Sequence, residues 1–193
     1  DWHCMKRTEL SAFLCSLLCA QLHDNRIFTH FIYEDGHVVA AAFENGDIVY
    51  GDLFVAADGG FSKVRTEIFG PVDFKMGGVK EVVGIAHAPE IADAYKGRFS
   101  KFQMEEEGLA FGMIPTSETE VVWFIQYDPA SVELHDLQPH SLKAFCHDLL
   151  KDFPAVVQDI LAANDFSKTY LWNTRDFDLL PAFHKENVVL IGD

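Results

Sequence analysis

The residues best suited to chemistry stand together at Ala57-Asp58-Gly59-Gly60-Phe61-Ser62-Lys63-Val64-Arg65. Paired glycines let a backbone turn tightly and come close to a ligand. Asp58 offers a carboxylate to a sugar hydroxyl or a cation, and Arg65 offers a planar fork to a phosphate or carboxylate. A helix opening just after the glycines would add free N–H groups and a dipole that favour an anion. Taken alone, the segment is a strand, a turn and a helix carrying a surface arginine, and many folds contain one.

The elements that must position these residues can be read from periodicity. Leu53-Phe54-Val55-Ala56-Ala57 is a continuous apolar run, the pattern of a strand covered on both faces, and it delivers Asp58. Residues 61–69 read as the following helix, closed by Gly70-Pro71. Upstream, Leu10, Phe13, Leu14, Leu17, Leu18 and Leu22 recur at three- and four-residue steps, which predicts a helix over about 6–22 with one buried face. Asp35-Gly36 and Asn45-Gly46 then punctuate strand-like runs at 27–33, 38–43 and 48–50, the signature of a β-meander. After Val72 the rhythm changes to strand-like runs near 81–87, 97–104, 110–114 and 120–127, as in an antiparallel sheet. Residues 137–150 and 155–163 read as helices with Pro139 and Pro154 near their starts, and 169–172 and 187–191 as strands. The expectation is an α/β segment joined to an α+β segment.

With these elements in place, the Asp58–Arg65 segment resembles the A/C-x-D-G-x-x-S-x-x-R signature of FAD-dependent aromatic hydroxylases, the para-hydroxybenzoate hydroxylase-like and ubiquinone-biosynthesis hydroxylase-like monooxygenases. Asp58, Gly59, Ser62 and Arg65 fall at the family's spacing. Arg7-Thr8-Glu9-Leu10 is similar to the family's R-x-x-L, and Asn187-Val188-Val189-Leu190-Ile191-Gly192-Asp193 to the strand leading into its G-D motif. Arg175-Asp176-Phe177 is similar to the family's approach to that motif. A bare Gly-Asp carries little weight, since Gly46-Asp47 and Gly51-Asp52 read as turns, and by itself Arg7 reads as a helix-surface charge.

The resemblance implies the para-hydroxybenzoate hydroxylase-like fold, with 1–71 as part of the FAD-binding domain, 72–175 as a substrate-binding sheet domain with helices, and 176–193 returning to the FAD-binding domain. It implies cofactor contacts from Arg7, Asp58, Gly59, Ser62, Arg65, Gly192 and Asp193. In such enzymes NADH or NADPH reduces FAD, O2 is captured as a flavin C4a-hydroperoxide, and one oxygen passes to a small organic, usually aromatic, substrate. No dedicated acid or base is required, and none is assigned. Strand parity sets Phe111 with Met113 and Phe124 with Gln126, and these pairs are the candidate substrate wall, with ordinary sheet packing as the alternative. The family's G-x-G-x-x-G phosphate loop is absent from this sequence, and nothing follows the G-D motif. The expectation is therefore a piece of a longer enzyme, inactive and weak in flavin affinity by itself. A related flavin-dependent halogenase or reductase stays open, as does a non-catalytic module that binds a small apolar ligand.

Composition narrows the field from outside. The 193 residues carry 30 acidic against 15 basic side chains, a net charge of −15, and no basic stripe suited to nucleic acid. No apolar run approaches the ~18–20 residues of a membrane span. Cys4, Cys15, Cys19 and Cys146 do not form a secreted disulfide framework, which favours a reduced, cytoplasmic protein. Cys15, Cys19 and His23 would share a helix face, but they lack a fourth metal ligand and read as buried or half-buried thiols. His87, His140, His147 and His184 form no metal-binding pair on one helix, and Glu105-Glu106-Glu107 reads as a solvated turn. Nothing in the sequence sets the oligomeric state.

Overall fold

A computed structural model describes residues 4–192. The chain folds as two compact units. The first comprises the segment up to Leu18 together with Met76–Arg175, and the second comprises Cys19–Lys75 together with the segment from Asp176. The expected division at 71/72 and 175/176 lies close to two of these crossings. The opening segment groups with the sheet region rather than with the meander, and within its unit Lys6 Nζ meets Glu120 at 2.6 Å.

The second unit begins with an antiparallel meander of β1 (Phe28–Glu34), β2 (His37–Phe43) and β3 (Ile48–Tyr50). Asp35 and Gly36 both take positive φ, 50° and 86°, so the first hairpin closes with the left-handed pair that matches strand twist. The apolar run that follows supplies β4 (Phe54–Ala56), which leads to α2 (Lys63–Phe69). Late in the chain, β10 (His184–Lys185) and β11 (Val188–Leu190) return, and β11 lies parallel to β4 with Val188 opposite Phe54 and Leu190 opposite Ala56. Val64 and Ile68 of α2 are buried with Phe31, Val38, Ala41, Ala56 and Val188. β4 is not covered on both faces as its composition suggested. Leu53 and Val55 are exposed, because β4 is an edge strand of a three-stranded sheet and only its Ala56 side meets the α2 core.

The first unit is built on a five-stranded sheet of β5 (Lys75–His87), β6 (Ser100–Met104), β7 (Leu109–Pro115), β8 (Glu120–Tyr127) and β9 (Tyr170–Asp176), in the order β6-β7-β8-β5-β9. One face carries α3 (Pro89–Ala94), α4 (Pro139–Leu149) and α5 (Ala155–Ala163). Trp123, Ile125 and Tyr127 of β8 pack there against Leu142, Cys146, Val157, Ile160 and Leu161. Trp123 Nε1 donates to Asn164 Oδ1 at 2.9 Å, so the buried indole N–H is satisfied. Gly84 makes room for this arrangement, since a Cβ there would stand 2.6 Å from the indole and 2.7 Å from Asn164 Oδ1.

The first helix departs most from expectation. α1 spans Arg7–Ser16, and none of its residues is buried. Leu10, Phe13, Leu14, Leu17, Leu18 and Leu22 are all exposed, so the apolar stripe is present but not buried. Because the helix stops at Ser16, Cys15, Cys19 and His23 share no helical face, and the Cys15 and Cys19 thiols are exposed rather than buried. Residues 105–107 form a short 3-10 helix. No helix among the described residues is long and apolar enough to cross a membrane.

Candidate active site

Two of the three motifs converge within the second unit. β4 and β11 are neighbouring parallel strands, and the residues just beyond their carboxyl ends are Asp58-Gly59-Gly60 and Gly192. Ile191 N–H donates to the Ala56 carbonyl at 2.9 Å, which holds the two strand ends in step. Crevices outside the carboxyl ends of parallel strands are where open α/β sheets bind ligands. Gly59 and Gly192 have φ of 76° and 86°, a conformation costly for any residue with a Cβ. Together with Ser62, Arg65 and Phe177 they line a small cavity of about 40 Å³.

The local structure of α2 explains what each motif residue does. Ser62 is the N-cap, and its Oγ accepts from Arg65 N–H at 2.8 Å. Asp58 Oδ2 accepts from Val64 N–H at 3.2 Å. The first-turn N–H groups expected to face an anion are thus partly taken by the motif's own side chains. The other Asp58 oxygen has no partner among the described residues, and the side chain is exposed.

Arg65 is placed differently from the expected fork. Its side chain is buried at 3 % exposure, Nη2 donates to the Gly60 carbonyl at 2.8 Å, and the guanidinium carbon lies 4.6 Å from the Phe177 ring centroid and 5.9 Å from that of Phe74. The fork therefore turns inward and holds the glycine loop. Its Nε is buried without a partner. Phe74 and Phe177 did not stand out in the sequence. The signal was the Arg175-Asp176-Phe177 segment, whose role becomes visible only when Phe177 is seen stacked on Arg65.

A second functional residue that the sequence hid is Asn187, read there only as the start of a strand. Its Nδ2 donates to the Val38 and Asp52 carbonyls at 2.7 and 3.0 Å, and its Oδ1 accepts from Val38 N–H at 3.3 Å. It pins the start of β11 to the meander and so sets the height at which Gly192 emerges. Arg7 belongs to the first unit and opens α1 as an exposed residue. Asp193 lies outside the described residues.

The four candidate substrate residues separate onto two faces of the five-stranded sheet. Phe111 and Met113 pair with Ile125 and Trp123 and have no exposed surface. They belong to the helix-covered core, which corrects their assignment to an open wall, because parity alone does not tell which face the helices cover. Phe124 and Gln126 lie on the opposite face. Phe124 stacks on Phe99 at 6.1 Å between centroids, and Gln126 Nε2 donates to Glu81 Oε1 at 2.6 Å. Glu81 is a neighbour that the sequence did not single out.

No family model matches the chain. Among curated proteins, it is 27 % identical over 161 residues to the chloroplastic zeaxanthin epoxidase of Spinacia oleracea, covering 83 % of this chain and 23 % of that protein. The chain thus spans about a quarter of the length of the curated relative it matches. Among solved structures, it superimposes on Klebsiella pneumoniae HpxO complexed with FAD and uric acid with a TM-score of 0.73 at 24 % identity, covering 86 % of this chain and 42 % of that one. It superimposes on 2,6-dihydroxypyridine-3-hydroxylase from Arthrobacter nicotinovorans with a TM-score of 0.71 at 14 % identity, covering 92 % and 51 %. The chain has the fold of the FAD-dependent monooxygenases. The resemblance carried by its D-G, R-x-x-L and G-D motifs and the likeness of its fold lead to the same group.

Within that monooxygenase fold, the residues present suit part of a flavin dinucleotide. An exposed acidic oxygen, two left-handed glycines and an unpartnered buried arginine nitrogen surround the strand ends. A space of about 40 Å³ admits one or two water-sized groups and not a whole cofactor.

Proposed function

We propose that the protein, in its natural full-length form, is an FAD-dependent monooxygenase that uses NADH or NADPH and O2 to insert one oxygen atom into a small, flat organic substrate. The observation that carries this reading is the meeting of Asp58-Gly59 and Gly192 at the carboxyl ends of the adjacent parallel strands β4 and β11. When bound, FAD supplies the redox chemistry.

The chain's own residues then have defined tasks. The free oxygen of Asp58 accepts a hydrogen bond from a cofactor hydroxyl, while its partner oxygen keeps α2 capped. Gly59 and Gly192 allow backbone to approach where a Cβ would force strain. Ser62 and Arg65 act one step back by fixing the loop, and Asp193, next in sequence after Gly192, is assigned a cofactor contact on the family resemblance alone. Residues 1–71 and 176–193 are assigned to the cofactor, Arg7 among them on the family resemblance alone, and 72–175 to the substrate. Phe124 and Gln126 contribute an apolar surface and an amide to the substrate wall. The exposed free thiols of Cys15 and Cys19 support a reducing compartment, the cytoplasm.

The test is direct. Purified full-length protein should be yellow, bind FAD stoichiometrically and consume NADH or NADPH together with O2 when substrate is added. A colourless full-length protein that takes up no added FAD would overturn the reading. Asp58→Ala should weaken FAD binding about tenfold, the scale of one hydrogen bond to a charged group. Asp58→Asn, which keeps an acceptor for Val64 N–H, separates loss of the cap from loss of the cofactor contact.

A further inference from the structure

We infer that the uncovered face of the five-stranded sheet selects substrates by their hydrogen-bond donors, and that the Glu81–Gln126 pair is the specificity determinant. The inference rests on the reading of this face as the substrate wall.

Register sets the face out in rows. Lys101, Gly112, Phe124 and Val83 stand opposite one another across β6, β7, β8 and β5. In the next row stand Gln103, Ala110, Gln126 and Glu81. Side chains two residues apart on a strand share a face and are separated by about 7 Å, roughly the width of one aromatic ring with its substituents. The first row is apolar at its centre. Gly112 has no side chain because the Phe124 ring lies over it, 2.2 Å from where a Cβ would be, and Phe99 stacks on that ring with planes 24° apart. The second row is polar at both ends and dips at Ala110, beside a concavity of about 440 Å³ whose lining includes Glu81, Gln103, Ala110, Gln126 and, from the first row, Lys101.

The polarity of that second row is directional. The Gln126 amide nitrogen is committed to Glu81 Oε1, which fixes the amide orientation and leaves the Gln126 carbonyl oxygen as an acceptor. The second oxygen of Glu81 is also an acceptor, as an ionised carboxylate offers nothing else. A flat ring resting on the Phe99–Phe124 half therefore meets acceptors at its edge. Ring N–H or O–H groups are matched there, and a carboxylate is opposed by Glu81. A site built to hydrogen-bond a donor discriminates strongly against a ligand that leaves its polar groups unpaired. Lys101 is the charge that could reverse this preference. It lines the same concavity from edge strand β6, on the opposite rim, three strands and roughly 14 Å across the sheet from Glu81, and no ion pair joins the two among the described residues. Lysine on an edge strand serves to block strand addition.

The experiment compares two planar six-membered rings, uracil, which is neutral with two ring N–H donors, and benzoate, which is anionic without a donor. Binding of each to the full-length protein is measured by calorimetry, for the wild type, Glu81→Gln and Lys101→Met. The wild type should bind uracil at least tenfold more tightly than benzoate, and Glu81→Gln should reduce that ratio at least fivefold. Lys101→Met should leave it unchanged. Equal affinities, a preference untouched by Glu81→Gln, or a benzoate preference abolished by Lys101→Met would each overturn the inference. Flavin content and NADH- or NADPH-driven flavin reduction are read in the same samples. A yellow, reducible protein without the uracil preference refutes the donor-selecting face alone. A colourless protein that keeps the preference refutes the monooxygenase reading alone.

Discussion

Arg65 and Phe177 are stacked, the guanidinium carbon 4.6 Å from the ring centroid, although 112 positions separate them in the sequence (177 − 65). The stack ties the segment entering β10 to the first turn of α2. It does so beside the Gly60 carbonyl, which the same guanidinium holds. Arg65→Met removes the hydrogen bond and the cation–π contact together and should lower stability by about 1–3 kcal/mol. Phe177→Leu keeps apolar volume but loses the ring face. A double-mutant cycle read by urea denaturation should give a coupling of about 0.5–2 kcal/mol between the two positions. Purely additive effects would show that the stack carries no energy. Arg65→Lys should rescue little, because an ammonium does not stack as a planar fork does.

Two glycines of the large sheet, Gly84 and Gly112, should respond oppositely to a methyl group. Gly84 faces the core, where a Cβ would meet the Trp123 indole at 2.6 Å and Asn164 Oδ1 at 2.7 Å, both held by their mutual hydrogen bond. Gly84→Ala should therefore cost about 1–3 kcal/mol as an overpacked core. Gly112 faces the uncovered side, and the obstacle is the partly exposed Phe124 ring, which can swing away. Gly112→Ala should leave thermal stability nearly unchanged while altering the near-ultraviolet circular dichroism of the Phe99–Phe124 stack. A large stability loss at Gly112 would mean that the ring is locked.

Much of this architecture is legible in the sequence, and the failures share one cause. The Asp35-Gly36 and Asn45-Gly46 turns, β8 at Glu120–Tyr127 and α5 at Ala155–Ala163 follow from local chemistry and period, and they stand where expected. Pro89–Ala94 was missed because a six-residue helix shows barely more than one period. The apolar stripe of α1 and the run at 53–57 announce hydrophobic surfaces, but which neighbour covers them is a tertiary fact. Parity sorted Phe111, Met113, Phe124 and Gln126 into correct pairs without saying that α4 and α5 lie over the first pair. For the motif, spacing identified Asp58, Gly59, Ser62 and Arg65. That Arg65 turns inward depends on Phe74 and Phe177, one close by and one 112 positions away, and no local pattern encodes it.

Asn187 offers a test in which polarity rather than size is changed. Its amide nitrogen donates to two carbonyls, of Val38 and Asp52, and its oxygen accepts one N–H. Asn187→Ala deletes these bonds and should cost about 2–4 kcal/mol, at ~1 kcal/mol per bond with a further penalty for half-buried groups left unpaired. Asn187→Asp is nearly isosteric but aims a carboxylate oxygen at two carbonyl oxygens. It should be at least as damaging as Ala at pH 7 and should recover stability as the pH is lowered and the carboxyl protonates. If Asp is tolerated at pH 7, the amide does not make the bonds to both carbonyls.

Cys146 provides a pH-dependent check on the core of the first unit. It is fully buried beneath the sheet, and burial pushes its thiol from near 9 up to about 12. At pH 8 a thiol reagent should modify exposed Cys15 and Cys19 readily and Cys146 only on unfolding. The sign of the linkage follows from the raised value. Below pH 9 the thiol is protonated in both folded and unfolded chains, and its contribution is complete. Between about pH 9 and 12 the unfolded chain releases the proton and the folded chain keeps it, so stability falls by about 1.4 kcal/mol per pH unit from this group. Burial also raises Tyr127 in the same core, and the loss from the tyrosine adds to it at higher pH. Cys146→Ala leaves a small cavity and lowers stability at neutral pH, yet it should flatten the decline between pH 9 and 10, where the tyrosine contributes little. An unchanged slope in that variant would show that the Cys146 thiol ionises as readily in the folded chain as in the unfolded one.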